Sequence, residues 1–399
     1  MQPKEAAPTY NVLAPGPVNL HPQVQETLAW PMIHHRTPEF DAVLSRVLKG
    51  LRKVFATSQP CYVLTSTGSG GMEALLVNIL SPGEKVVVVD SGKFGERWSE
   101  MAGAYGAQVI PIKVPWGQAV DAAAVAAILK QQPASVGGEA ATGGVRAVLC
   151  QACETSTGVV HPIQELGRLI SSYPDTLFLV DGITALGAFP LPMDEWHIDG
   201  LVGGSQKAFM LPTGLSLISF SAKAWRVIPQ AKCPRYYFDI RLEHQANQKG
   251  ETFFSSNVTL IRALDCVLRM FEDTGLEQLY QEIARRARFT REFTLQMGFS
   301  LYAQPPANSL TALRVPAGID SQKFRLRLEE KHHITVMGGQ DQAKGKIIRI
   351  GHMGHITTEQ MEVLMLKMID VLKEFNPQLA TGIDQDQFAR AMRGFWRHD

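Results

Sequence analysis

Residues 177–181 read Leu-Phe-Leu-Val-Asp, a short apolar run that ends on a carboxylate. Runs of the same kind, apolar and without polar alternation, stand at 61–65, 85–90, 108–112 and 145–151. Stretches with helical periodicity separate these runs. Apolar strands that alternate with helices are typical of a largely parallel sheet covered on both faces. The sequence therefore predicts an α/β fold for this part of the chain.

A second, smaller unit is predicted after a long helical stretch at 276–297. Its elements are expected in the order strand, helix, strand, helix, at 310–315, 321–331, 346–351 and 358–374. This order favours a smaller α+β domain. We expect four segments along the chain: an N-terminal arm at 1–14, a large domain at 15–266, a small C-terminal domain at 267–376 and a helical tail at 377–399.

Two further segments are assigned from their composition. The Gly/Ala-rich insert at 133–144 is expected to be a surface loop. The tail carries apolar side chains on one helical face, at Phe388, Ala391, Met392, Phe395 and Trp396. We expect this face to dock on the protein itself, and the alternative is a helix of a partner.

The bulk composition excludes several classes of protein. Of the 399 residues, 45% are hydrophobic and 19% are charged, as in ordinary globular proteins. A net charge of +1 gives no reason to expect nucleic acid or an anionic membrane as a partner. No apolar run approaches the roughly 18 residues that span a bilayer, and the first residues lack the order of a secretion signal. A cytoplasmic location is predicted.

No metal site and no disulfide framework are predicted. Cys150 and Cys153 have CxxC spacing, but no second CxxC and no nearby His accompanies them. We interpret them as buried thiols at a strand end. His352 and His355 have HxxH spacing without a carboxylate in a matching register, and we interpret them as packing or surface residues.

A loop rich in Gly and Ser follows the first strand, where residues 65–71 read Thr-Ser-Thr-Gly-Ser-Gly-Gly. A predicted helix begins after it, and the N-terminal N–H groups and dipole of a helix attract anions. The loop matches neither the dinucleotide-binding pattern nor the P-loop pattern. A phosphate site is one interpretation, and a purely structural turn is the other.

Asp181 and Lys207 follow apolar runs. Asp181 lies at the edge where open α/β sheets bind ligands, and a protonated ring nitrogen would give its carboxylate a cationic partner. The alternative is a helix cap or a turn residue. Lys207 stands in Gly-Gly-Ser-Gln-Lys at 203–207. Desolvation would disfavour its ammonium form, as a Schiff-base lysine requires. The alternative is a surface lysine.

Two more motifs contain groups that bind small molecules. Residues 154–158, Glu-Thr-Ser-Thr-Gly, offer hydroxyls that would bond a ring substituent or cap a turn. Arg349 lies inside the apolar run Ile-Ile-Arg-Ile-Gly at 347–351. An arginine is rarely placed on such a strand for packing, and its planar guanidinium matches a carboxylate with two parallel hydrogen bonds.

The motifs resemble those of the class V aminotransferases of pyridoxal-phosphate (PLP) fold type I, especially the alanine–glyoxylate and serine–glyoxylate branch. The resemblance covers most of the chain, from the arm to Gly351. It rests on APGPVNLHPQV from Ala14, HHRTPEF from His34, ETSTGVV from Glu154, LVDGITALG from Leu179 and GSQKAFMLPTG from Gly204. The implied architecture is a large PLP-binding domain with a smaller C-terminal domain.

The resemblance implies how PLP would be held. Lys207 would bind the coenzyme as a Schiff base and shuttle the Cα proton, and Asp181 would pair with the pyridine nitrogen. Thr155 would face the ring hydroxyl. The phosphate and its surroundings would be held by Thr67, Gly68, Ser69 and Gln206.

The resemblance also implies a substrate site and an assembly. Arg349 would bind the α-carboxylate of the substrate, and Gly16 would line the substrate pocket. Ser256 would reach the phosphate of the neighbouring subunit, which implies a homodimer with shared active sites.

Two positions depart from the family pattern. Relatives often stack Trp on the coenzyme ring where this chain has Phe94, which keeps a smaller stacking face. Relatives often carry Tyr in the cross-subunit loop where this chain has Phe253, which lacks the hydroxyl. The chain is also similar to cyanobacterial proteins labelled soluble hydrogenase small subunit, but it has no cysteine set for a nickel–iron or iron–sulfur centre.

The predicted reaction is PLP-dependent transamination between a small amino acid, alanine or serine, and a 2-oxo acid, with glyoxylate expected. A dicarboxylic donor is disfavoured because only one carboxylate-binding Arg is found. One alternative is a lyase such as a cysteine desulfurase on the same scaffold, although the last cysteine, Cys266, lies on an apolar helix-like run. The other is a scaffold protein without catalysis.

Overall fold

The computed structural model describes residues 10–132, 144–380 and 382–398. The helices are α1 (Pro22–Leu28), α2 (Pro38–Phe55), α3 (Gly68–Ile79), α4 (Lys93–Ala104), α5 (Ala122–Gln131), α6 (Ile163–Ser171), α7 (Ala222–Val227), α8 (Ile240–Asn247), α9 (Val258–Thr274), α10 (Leu276–Gln296), α11 (Ser321–His332), α12 (Thr358–Phe375), α13 (Pro377–Ala380) and α14 (Gln385–His398). The loop predicted at 133–144 lies, except for its last residue, outside the described residues, as do the first nine residues of the predicted arm.

The strands are β1 (Asn11–Val12), β2 (Cys61–Leu64), β3 (Lys85–Asp90), β4 (Gln108–Lys113), β5 (Val145–Gln151), β6 (Cys153–Glu154), β7 (Val159–Val160), β8 (Leu177–Asp181), β9 (Gly200–Gly204), β10 (Ser216–Phe220), β11 (Ser300–Leu301), β12 (Leu310–Arg314), β13 (Ile334–Thr335), β14 (Met337–Gly338) and β15 (Ile347–Gly351). Seven of them form one large sheet in the order β2-β10-β9-β8-β5-β3-β4. Only β10 runs antiparallel to its neighbours in this sheet. The prediction of a mostly parallel α/β sheet is confirmed.

Helices cover both faces of the large sheet, because its strands are apolar on both sides. In β3, Val87 and Val89 pack in the cluster that contains the apolar residues of α2 and α9. Val86 and Val88 point the other way, into the cluster that contains those of α3 and α4. All five residues of β8 are buried. Cys150 and Cys153 are buried as well, as predicted.

A smaller antiparallel sheet of four strands, in the order β11-β12-β15-β14, forms the second unit. Its cluster of buried side chains is separate and includes residues of α10, α11 and α12. The N-terminal segment is attached to this unit. β1 pairs with β13, the N–H of Leu13 donates to the Thr335 carbonyl at 2.9 Å, and the N–H of Gly351 donates to the Leu13 carbonyl at 2.8 Å.

The C-terminal helix α14 docks on α10, which confirms the prediction for the tail. Phe388 and Met392 are buried in the cluster of the small unit. Trp396 stacks on Phe289 with ring centroids 4.5 Å apart, and Arg285 donates to the Trp396 carbonyl at 2.5 Å. Within the described residues, no helix combines the length and apolarity that crossing a membrane requires.

Candidate active site

Parallel strands bring the predicted site residues to one edge of the large sheet. Thr67 follows β2, Phe94 follows β3, Thr155 follows β5, Asp181 ends β8 and Lys207 follows β9. These five strands run in the same direction, so their carboxyl ends lie at the same edge. Ligands bind at this edge in open α/β sheets.

Lys207 is buried, with 8% of the residue exposed. Its Nζ donates to the Pro15 carbonyl at 2.7 Å. Burial, with a smaller contribution from the charge of Arg349, lowers the pKa of Lys207 to about 8 from its ordinary 10.5, and the Asp181 carboxylate opposes this shift. An amine with this pKa is about half in its neutral, nucleophilic form near pH 8, whereas an ordinary lysine is almost fully protonated there.

Gly16 packs directly against the Lys207 side chain. Its φ is +129°, and a Cβ at this position would lie 2.5 Å from Cδ and 2.6 Å from Nζ of Lys207. A larger residue would collide with the lysine and would strain the backbone. Gly16 therefore borders the amine, in the neighbourhood predicted for it.

Asp181 is 5% exposed, and its Oδ1 accepts a hydrogen bond from the Ile183 N–H at 2.8 Å. Burial raises the pKa of Asp181 to about 6, while the Ile183 hydrogen bond and the charges of Arg97 and Lys207 oppose that rise. Among the residues that the structure describes, no ion pair reaches this carboxylate. A cationic ligand at this point would supply the missing partner.

The Gly/Ser loop begins helix α3. Thr67 is its N-cap, and Thr67 Oγ1 accepts from the Gly70 N–H at 3.4 Å. The N–H groups of Gly68 and Ser69 belong to the first turn, which has no carbonyl partners within the helix. A Cβ on Gly68 would lie 2.5 Å from Cδ1 of Ile183, so the loop lies beside the end of β8. This helix terminus offers an anion site.

Gln206, predicted near the phosphate, carries a side-chain Oε1 that is buried without a hydrogen-bond partner in the structure. Rotating the amide by half a turn places its NH₂ group at that position instead, since the two ends of an amide have the same shape. In either orientation a polar atom of Gln206 is left for a ligand to satisfy.

Arg349, which belongs to the small sheet, lies at the same edge of the large sheet. It is 7% exposed; its guanidinium donates through Nη1 to the Thr155 carbonyl at 2.8 Å and through Nε to the Gly338 carbonyl at 3.0 Å. Burial lowers the pKa of Arg349 to about 10, and the Glu154 charge opposes this. The Thr155 hydroxyl shares a 2.6 Å hydrogen bond with the Thr184 hydroxyl. Arg349 and Thr155 therefore lie in contact, and their predicted roles toward a substrate and a coenzyme remain predictions.

Phe94 and Ser256 lie at the margin of this arrangement. Phe94 is in the first turn of α4, and its ring is 4.8 Å from the guanidinium carbon of Arg97. The Ser256 hydroxyl accepts from the Thr252 hydroxyl at 3.3 Å, and the next residue, Asn257, donates its N–H to Thr65 Oγ1 at 3.2 Å. Ser256 is thus near the start of the Gly/Ser loop, and its predicted contact with a second subunit remains a prediction.

Two residues of this edge were missed by the sequence reasoning. Arg97 donates to the Ser69 hydroxyl at 3.0 Å, and only its place three residues after Phe94 on a helix could have indicated this. Glu154 is fully buried and accepts hydrogen bonds from the first turn of α4. A carboxylate directly after an apolar strand, the signal that selected Asp181, could have selected Glu154 as well.

The model of the class V aminotransferases ("Aminotransferase class-V") matches residues 23–364. The L-aspartate–glyoxylate aminotransferase of Paracoccus denitrificans is 35% identical, and the alignment covers 87% of both chains. A Synechococcus protein named soluble hydrogenase, small subunit, is 33% identical over 91% of this chain and 93% of its own. The crystal structure of an alanine–glyoxylate aminotransferase from Nostoc sp. superposes with a TM-score of 0.86, at 29% identity, over 93% of this chain and 97% of that one.

The chain belongs to the class V aminotransferases. This family membership confirms the resemblance drawn from the motifs. It also confirms the PLP fold type I architecture, the aminotransferase class and PLP as the coenzyme. Among the described residues, no group of three or more His, Cys, Asp or Glu side chains is arranged to hold a metal ion.

The residues of this class V aminotransferase fit PLP chemically. A buried amine, a buried carboxylate without an ion pair, a helix N-terminus and an unsatisfied glutamine amide complement an aldehyde, a pyridinium and a phosphate.

Proposed function

We propose that the enzyme transfers an amino group from alanine or serine to glyoxylate, with PLP held on Lys207. The observation that carries this proposal is the buried Lys207 amine, whose pKa is lowered to about 8 at the sheet edge that also holds Asp181. The names of the Paracoccus and Nostoc relatives support glyoxylate as the amino acceptor.

Each neighbouring side chain has a proposed binding role. Thr67, Gly68, Ser69 and Gln206 would bind the phosphate. Asp181 would pair with the ring nitrogen, Thr155 would face the ring hydroxyl, and Phe94 would stack on the ring. Bound PLP supplies one kind of chemistry, the withdrawal of electrons from Cα of the amino acid through a protonated pyridine ring.

Proton transfer is assigned to Lys207. With PLP and an amino acid bound, the Lys207 amine would take the proton from Cα of the amino acid and would act as the proton donor later in the reaction. The Asp181 carboxylate keeps a proton on the ring nitrogen, because two opposite charges in a buried site stabilise each other. The Pro15 carbonyl, 2.7 Å from Nζ, orients the amine through a hydrogen bond.

Arg349 would orient the substrate. Its guanidinium is held by the Thr155 and Gly338 carbonyls and would bind the α-carboxylate, so that Cα faces the Lys207 amine. No second arginine is assigned to a side-chain carboxylate, which supports a small donor over aspartate. Gly16 would border the substrate, where only a hydrogen atom fits beside Lys207.

A homodimer with shared sites is part of this proposal. Exposed aromatic side chains surround the Ser256 loop: Tyr236 is 73%, Tyr237 44% and Phe253 38% exposed. Exposed aromatic groups of this kind favour a protein interface. Ser256 would then bind the phosphate in the partner's site.

We also propose a cytoplasmic location and keep the segment boundaries 1–14, 15–266, 267–376 and 377–399 as proposals.

The desulfurase alternative finds little support at the described edge. The last cysteine, Cys266, lies within α9, whose apolar residues pack in the core of the large sheet, and not on a loop beside Lys207. A persulfide-forming cysteine has to approach the substrate on a mobile segment, which a packed helix does not permit.

The proposal is tested by borohydride reduction of the PLP-loaded enzyme, followed by peptide mapping. We expect one labelled peptide, with the label on Lys207. A matrix of donors (alanine, serine, aspartate, cysteine) against acceptors (glyoxylate, pyruvate, 2-oxoglutarate) identifies the substrates. Label on another lysine, or sulfide release from cysteine in place of transamination, would overturn the proposal.

A further inference from the structure

We propose that Glu154 is a positioning residue that fixes the ring-stacking segment at 92–95 to the ring-hydroxyl loop at 154–156. The inference rests on the proposed function, because it concerns the shape of the PLP site. Glu154 carries no assigned role in transamination. Its carboxylate joins the two segments that would face the coenzyme ring from different strands.

Five donor groups converge on the Glu154 carboxylate, which is fully buried. The N–H groups of Phe94 and Gly95 donate to Oε2 at 3.1 and 3.0 Å, which ties the first turn of α4 to the carboxylate. The Ser156 N–H and hydroxyl donate to Oε1 at 3.1 and 2.6 Å. Gln151 Nε2 donates to Oε2 at 3.1 Å. Hydrogen bonds from this many donors restrict how the carboxylate and the two segments can move relative to each other.

Ser156 provides a second connection between the 154–156 loop and the first turn of α4. Its hydroxyl donates to Glu154 and accepts from the Lys93 N–H at 3.2 Å. The α4 segment is therefore fixed both by Glu154 directly and by Ser156. The α4 segment also has no free space on the side of β3, because a Cβ on Gly95 would lie 2.5 Å from the Val89 carbonyl oxygen. The height of the Phe94 ring above the sheet is thus set by Glu154.

A series of buried, hydrogen-bonded side chains helps to fix the Glu154 carboxylate. His161 accepts the Val120 N–H on Nδ1 at 3.1 Å, so its proton is on Nε2, which donates to the Ser91 hydroxyl at 2.8 Å. Gln151 Nε2 donates to the same hydroxyl at 2.9 Å and to Glu154. The series ends at the backbone N–H of Val120. It orients the carboxylate and gives it no route to the substrate.

Glu154 is also connected to the arginine proposed to bind the substrate. The next residue, Thr155, uses its carbonyl to accept Arg349 at 2.8 Å. A displaced 154–156 loop would therefore shift the ring-hydroxyl contact and the proposed carboxylate-binding arginine together. This predicts a specific signature: weaker coenzyme binding combined with a higher KM for the amino donor.

The test compares Glu154→Gln with wild type. Glutamine keeps the size but turns an NH₂ group toward the converging N–H donors, so two or more hydrogen bonds are lost. We expect the Kd for PLP, measured by absorbance titration of apoenzyme, to rise about 10- to 100-fold. The visible circular dichroism of bound PLP should weaken, because the ring is no longer held at one angle.

The matched control is Asp199→Asn. Asp199 is also buried and accepts the Phe178 N–H at 2.9 Å and the Ser221 hydroxyl at 2.6 Å, but it precedes β9 and lies at the opposite edge of the sheet. Its variant should lower the thermal midpoint of the apoenzyme and leave the Kd for PLP of the folded protein unchanged. An equal rise in Kd for Asp199→Asn would overturn the positioning role, as would wild-type PLP binding by Glu154→Gln.

A milder variant covers the case in which Glu154→Gln does not fold. Ser156→Ala removes one donor to Glu154 and the acceptor of the Lys93 N–H, and we expect the Kd for PLP to rise about 5- to 10-fold. An unchanged Kd in this variant contradicts the inference. Borohydride labelling of the wild type distinguishes a failure of the proposed function from a failure of this inference. If Lys207 carries no label, the proposed function is refuted. If Lys207 is labelled but the variants bind PLP normally, only the role of Glu154 is refuted.

Discussion

The two edges of the large sheet treat buried charge differently. At the amino edge, the Asp199 carboxylate has Lys223 Nζ at 3.5 Å, and Glu84 pairs with Arg146 at 2.5 Å. At the carboxyl edge, Asp90 pairs with Lys113, whereas Asp181 and Lys207, which are more deeply buried than Glu84 and Arg146, have no ion pair within the described chain. Burying an uncompensated charge is unfavourable, so a fold retains one where a ligand completes it. The protein itself pairs these charges at the amino edge, and we propose that a coenzyme does so for Asp181 and Lys207 at the carboxyl edge.

Lys207→Ala is the strongest way to test this difference. We expect transamination to fall by about 10⁴-fold, because the proton-transferring group and the covalent attachment of PLP are both lost. Single-turnover bleaching of the coenzyme absorbance with alanine measures the effect. Lys223→Ala, at the amino edge, should keep the wild-type rate. A Lys207→Ala enzyme that still turns over would remove the basis of the assignment.

The same chemical change at both edges provides the second test. Asp181→Asn should slow the half-reaction about 10²- to 10³-fold, because an amide cannot hold the ring nitrogen in its protonated form. Asp199→Asn should leave the rate per folded molecule unchanged and lower the free energy of unfolding by about 1–3 kcal/mol. Stopped-flow rates and urea unfolding distinguish the two. Equal losses of rate in both variants would mean that the edges do not differ as described.

Arg349 tests the part of the carboxyl edge that comes from the small sheet. For Arg349→Lys we expect the KM for alanine or serine to rise about 30- to 100-fold with a smaller change in kcat, because the parallel hydrogen bonds to the carboxylate are lost. Arg314→Lys, on the exposed end of β12, is the control. An unaltered KM would place the substrate carboxylate elsewhere.

The smallest effect concerns pH. Only the neutral amine attacks the PLP aldehyde, and the pKa of Lys207 is lowered to about 8 by burial. The rate of PLP capture by apoenzyme should therefore rise with pH, level off above about 8 and fall about tenfold per unit below it. N-acetyl-lysine methylamide serves as the reference amine, with its ordinary pKa. A protein profile that coincides with this reference would mean that Lys207 is not desolvated.

Much of the fold could be predicted because the strands of a covered parallel sheet are apolar throughout. β3, β5 and β8 lie at the predicted residues, and the helices of the small unit begin at the predicted positions. Helix α2 was not predicted, and α9 was predicted only as a helix-like run around Cys266. Each is amphipathic, with polar residues on its outer face, and its apolar residues are recognised as core only once the sheet is present.

The site was predictable where one residue type implies its chemistry. Lys207, Asp181 and Arg349 are charged residues next to apolar strands, a combination that is rarely structural. The role proposed for Glu154 was not predictable, because the donors that tie it to α4, the N–H groups of Phe94 and Gly95, lie about sixty residues away in sequence and meet it only through tertiary contact. The Pro15 carbonyl was missed because backbone acceptors leave no mark in a sequence.

The N-terminal segment connects the small sheet to the reactive amine. Leu13 is hydrogen-bonded to Thr335 and Gly351 of the small unit, and two residues later the Pro15 carbonyl accepts from Lys207 Nζ. A rotation of the small sheet would therefore carry this acceptor toward or away from the lysine. The position of the small sheet therefore determines where the hydrogen-bond acceptor of the Lys207 amine lies, and a change in that position would change the polarity around the amine.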